Sequence, residues 1–136
     1  MRPLQHLGAA LLGLAIFSSA AVADDPIRPD PRFTPGAVFT TDRSVICSPG
    51  YSKSVRHTSG HLKVSIYWEY GIDRRNRHNE IGHLIPLGLG GANAAATFWP
   101  ESRDTQPCNA SVKDRLEDYL YREACVGRMP HTLRVL

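Results

Sequence analysis

The sequence predicts a small α+β domain, on three observations. Leu62, Ile66 and Tyr70 recur at helical spacing, and Val112, Leu116, Leu120 and Ala124 fall near one face of a closing helix. Between them, Glu80 to Gly91 breaks into short apolar pieces punctuated by Pro86 and glycines, which suits two brief strands better than a helix. The order is therefore helical lead, strand, strand, helix. A chain of 136 residues with 42% hydrophobic and 21% charged residues is sized for one domain. That apolar content excludes a wholly disordered chain, and the lack of a fixed repeat excludes solenoids and propellers.

Residues 1–23 are expected to be a secretory signal peptide. Arg2 is the only formally charged residue before Asp24, Leu7 to Phe17 is unbroken apolar residues and glycine, and Ala21-Val22-Ala23 fits a small-x-small cleavage site. Ser18 and Ser19 interrupt the run before it reaches the roughly 20 apolar residues of a spanning helix, so no membrane partner is expected after cleavage. The expected location is periplasmic or secreted. Without Arg2 the formal charge of +3 falls to +2, too small to identify a partner by itself.

Export gives the cysteines a meaning, because disulfides persist outside the reducing cytosol. Cys47, Cys108 and Cys125 allow three pairings. Cys47 with Cys125 is favoured, since it would tie the start of the ordered domain to the end of the last helix and leave Cys108 as a free thiol. A zinc site is the competing reading, but no two cysteines have ligand spacing.

Residues 24–44, with Pro26, Pro29, Pro31 and Pro35 and no apolar period, read as an extended arm before a domain at 45–136. Ser48-Pro49-Gly50 marks a turn. Ser52 to Tyr70 predicts two short helices broken at Ser59-Gly60, the second stopped by Gly71. The closing helix starts near Asn109, an acceptable N-cap, with Lys113, Arg115, Glu117 and Asp118 expected mostly to face water.

The basic turn Asp73-Arg74-Arg75-Asn76-Arg77-His78 precedes Glu80-Ile81-Gly82-His83-Leu84-Ile85-Pro86-Leu87-Gly88-Leu89-Gly90-Gly91-Ala92-Asn93. Thr97-Phe98-Trp99-Pro100-Glu101 follows, and then Asn109-Ala110-Ser111-Val112-Lys113-Asp114-Arg115-Leu116-Glu117. In this order the motifs resemble the HNH (ββα-metal) endonucleases, particularly small secreted bacterial members. The resemblance implies a helical N-terminal part, a ββα-metal core and a C-terminal helix. It also implies hydrolysis of phosphodiester bonds in nucleic acid, DNA ahead of RNA, with a divalent metal ion (Mg, Mn, Ni or Zn).

By that resemblance His83 is the general base, a role that suits imidazole because its ordinary pKa of about 6.5 lets it accept a proton near neutrality. The competing reading is a structural histidine among apolar neighbours. The family places an acidic metal ligand immediately before the base, and here that residue is Gly82. The second ligand falls on Asn109, whose alternative role is the N-cap. Glu80, two residues back on the same strand face, is the candidate to replace the lost carboxylate. Thr97 stands where the family has a bracing Asn, for which Asn93 is a possible substitute, and Gly88 stands where it has a Glu. Arg74, Arg75, Arg77 and Lys113 are the candidate nucleic-acid contacts. Gly82 and Thr97 favour the alternative function, a catalytically degenerate HNH-fold protein that binds nucleic acid or another partner without turnover.

Overall fold

The computed structural model describes residues 28–75 and 78–129, so the expected signal peptide and Arg77 lie outside it. Among the described residues, helices surround a two-stranded antiparallel sheet, a mixed structure of α+β class. Three helices lead: α1 (Arg43–Ile46), α2 (Tyr51–Val55) and α3 (Gly60–Glu69). Strands β1 (Asn79–His83) and β2 (Phe98–Ser102) follow, and α4 (Ala110–Cys125) closes the domain.

Local chemistry sets the helix ends. Ser59 Oγ accepts from the Leu62 N–H at 3.2 Å and starts α3. At its end Gly71, at φ +66°, turns the chain left-handed. The N–H groups of Gly71 and Ile72 then donate to the carbonyls of Trp68 and Tyr67, the paired bonds of a Schellman stop. On α3 the apolar period behaves as expected, with Ile66 fully buried and Leu62 and Tyr70 half-buried.

The strands differ from the sequence expectation. Residues 80–91 hold one strand, and the chain then turns through a 3-10 turn at Leu87–Leu89. The second strand is β2, which contains Pro100. A two-stranded sheet has only edge strands, so a proline without an N–H is accommodated there. Glu80 pairs with Glu101, Gly82 with Trp99 and His83 with Phe98, which puts Glu80, Gly82, Trp99 and Glu101 on one face.

The segment expected as an arm packs on this sheet. Thr34 is 1% exposed, and its hydroxyl donates to the Phe98 carbonyl at 2.7 Å. Gly36 N–H donates to Ala96 O at 2.8 Å, and Val38 forms a bridge with Gly91. Close backbone approach explains the glycine pair, from this strap at Gly90 and from the chain before the 3-10 turn at Gly91. A Cβ on Gly90 would collide with the Thr40 carbonyl, and one on Gly91 with the Ile85 carbonyl.

The core is built from Ile46, Tyr51, Ile66, Ile85, Leu87, Leu89, Phe98 and Trp99. The Cys47–Cys125 disulfide is present and joins the end of α1 to the end of α4, while Cys108 is exposed and free. Such a bond fits an oxidising compartment.

Candidate active site

The hairpin, α2, the 3-10 turn and α4 enclose a cavity of about 460 Å³. Glu80, Gly82 and His83 reach it from β1, Glu101 from β2, Lys113 and Glu117 from α4, and Lys53 and Arg56 from α2.

His83 is the last residue of β1 and is buried, its ring packed against that of Phe98 with centroids 4.5 Å apart. Its Nε2 donates to Asn93 Oδ1 at 3.1 Å. The direction is set on the other side, where Asn93 Nδ2 donates to the His57 carbonyl at 2.5 Å, which leaves only the amide oxygen for the imidazole. Nδ1 is therefore the proton-accepting nitrogen. Burial pushes the His83 pKa below the usual imidazole value. The Asn93 bond opposes this, and the positive charges of Arg56 and Lys113 add to it. The balance favours the neutral ring.

Gly82 has a structural reason. A Cβ built there would overlap Oε1 and Cδ of Glu101 outright and lie 2.7 Å from Oε2. The carboxylate of Glu101 thus fills the space a side chain at 82 would take. An acidic group does stand against residue 82, but it comes from Glu101 on the neighbouring strand. Glu80 itself is turned to Arg103, with Oε2 2.7 Å from Nη2.

Glu101 is 2% exposed, and burial pushes its pKa up to about 7 against the opposing charge of Lys113. Lys113 Nζ lies 2.8 Å from Glu101 Oε1 and also hydrogen-bonds Glu117 Oε1. Burial works against the ammonium charge, but Glu101 and Glu117 outweigh it and hold the lysine charged above its usual range. Burial likewise raises the Glu117 pKa, with Lys113 opposing. Lys113 and Glu117, expected to face water, point inward instead.

The remaining expected residues are elsewhere. Asn109 Oδ1 accepts from Val112 N–H at 3.1 Å as the N-cap of α4, and the residue lines an adjoining cleft of about 70 Å³ that shares Glu101 and Lys113 with the main cavity. Its oxygen serves the cap. Arg74 and Arg75 are exposed and outside the cavity, and Arg75 pairs with Asp73 at 3.3 Å. Besides Lys113, which was expected, the basic groups at the cavity are Lys53 and Arg56, signalled in the sequence only by Lys53-Ser54-Val55-Arg56 beside a turn. Thr97 is fully buried and braces the turn in its own way, its hydroxyl 2.9 Å from Ala92 O and 2.8 Å from Ala94 O.

A hard divalent cation needs converging oxygen donors. Gly82 supplies none, Asn109 is occupied by the cap and Glu80 faces Arg103. Glu101 and Glu117 do converge, but on the ammonium of Lys113. With that charge between them, this donor set does not fit a divalent ion.

No family model, curated protein or solved structure matches the chain.

Proposed function

We propose that the cleft is the active site of an exported, HNH-like endonuclease that hydrolyses phosphodiester bonds of nucleic acid, with His83 as general base. The observation that carries this reading is the fixed imidazole. Asn93 holds Nε2 as a donor, so Nδ1 is left to take a proton from water in the cavity that the Glu101–Lys113 pair also lines. Lys53 and Arg56 at the cavity supply positive charge for the phosphates of a bound strand. The hairpin followed by a helix has the ββα order that the resemblance implies, and the disulfide is consistent with a periplasmic or secreted protein.

In this mechanism His83 Nδ1 removes the proton of the attacking water, and burial keeps the ring neutral and ready to do so. Gly82, which has no ligand atom to offer, favours the second reading, a fold that binds nucleic acid without turnover. Plasmid and single-strand cleavage by wild-type protein and His83→Ala separates them. The hydrolase reading expects cleavage reduced about a hundredfold or more in the variant. A pure binder shows salt-dependent association and no cleavage by either protein.

A further inference from the structure

Lys113 sits where one-sided chemistry would be expected to fail. Two carboxylates converge in the cavity, Glu101 from β2 and Glu117 from the next turn of α4, and both reach the same Nζ. Glu101 Oε1 is fully buried and has no aligned hydrogen-bond donor, so what neutralises it is the adjacent charge. A carboxylate buried to this degree is costly without a cation close by. Gly82 makes the arrangement possible, since any side chain there would evict the Glu101 carboxylate.

Resting on the hydrolase reading above, we infer that the Lys113 ammonium is the resident cation of this cleft, standing where Glu101 and Glu117 would otherwise hold a divalent ion, so that phosphodiester hydrolysis here requires no metal. The water oxygen bonds to phosphorus as the bond from phosphorus to the leaving ester oxygen breaks. The water proton passes to His83 Nδ1, and the leaving oxygen takes a proton from solvent and departs as an alcohol, while Lys113 keeps its charge throughout. His83 then loses its proton to solvent, so one water is consumed for each bond cut. The ammonium compensates the charge that builds on the phosphoryl group, a task that a cation already fixed in place performs well.

The test is calorimetric titration of Mn²⁺ into wild-type protein and Lys113→Met, with plasmid cleavage followed in excess chelator. Wild-type protein should show no saturable Mn²⁺ binding and should keep its cleavage in chelator. Lys113→Met frees two carboxylates, so it should gain Mn²⁺ affinity by about tenfold or more. It should also lose chelator-resistant cleavage by about a hundredfold. Chelator abolishing wild-type cleavage, or Mn²⁺ binding wild-type protein as tightly as the variant, overturns the inference. If Lys113→Met does not fold, as judged by circular dichroism, wild-type titration alone decides, with saturable Mn²⁺ binding counting against it. If wild-type protein cleaves nothing with or without metal, the hydrolase reading fails, and the titration still decides which cation the cleft holds.

Discussion

Residue 82 shows how much one missing side chain can determine. Because Gly82 has no Cβ, the Glu101 carboxylate lies against its backbone, buried and paired to Lys113. We expect Gly82→Ala to displace that carboxylate and to cost about 1–3 kcal/mol, the usual range for overpacking a filled site. Urea denaturation measures it, and an unchanged midpoint would mean that Glu101 moves aside freely. Gly82→Asp, the substitution that the family pattern suggests as a repair, would set a second carboxylate on top of Glu101 and is expected to destabilise further. The place of His83 at a strand end was legible in the sequence, and the base role proposed for it asks for no more than that. Glu101 was not, since its importance comes from the register that places it diagonally across from Gly82.

At the scale of elements, local signals were readable and non-local ones were not. Ser59, Gly71 and Asn109 act through neighbours within a few residues, so their capping roles follow from spacing alone. The second strand was hidden because Pro100 argues against a strand unless the sheet is known to have only two members. Lys113 and Glu117, four apart on α4, read as a solvated surface pair, and only Glu101 on β2 turns them into a buried cluster. The proline-rich arm likewise hid Thr34, whose burial depends on the Phe98 carbonyl 64 residues away. Asn109→Ala distinguishes cap from ligand. We expect a loss of about 1 kcal/mol in denaturation and unchanged cleavage, because the side chain is engaged in the cap and does not line the main cavity. Lost cleavage in a folded variant would return Asn109 to the site.

For the molecule as a whole, the Cys47–Cys125 bond closes a loop spanning 78 residues. Replacing both cysteines by serine should cost about 4 kcal/mol by the chain-entropy relation, read as a lower urea midpoint. Thermal and chemical stability equal to wild type would show that the packing of α1 against α4 suffices without it. The bond also frames the cleft, since α2 follows Cys47 closely and α4 carries Lys113 and Glu117 before Cys125. The cavity, His83 and the Glu101–Lys113 pair therefore depend on one closed unit.

The pH dependence of plasmid cleavage tests the central claim most directly. His83 acts as a base only when neutral, and burial together with Arg56 and Lys113 lowers its pKa beneath 6.5. The rate should therefore rise with pH as His83 loses its proton, with a midpoint below 6.5. Arg56→Ala should move the midpoint upward by removing one of the charges that lowers it, and His83→Ala should abolish the rise. A rate independent of pH across that range, or an unchanged profile in His83→Ala, would contradict the assignment of His83 as the base.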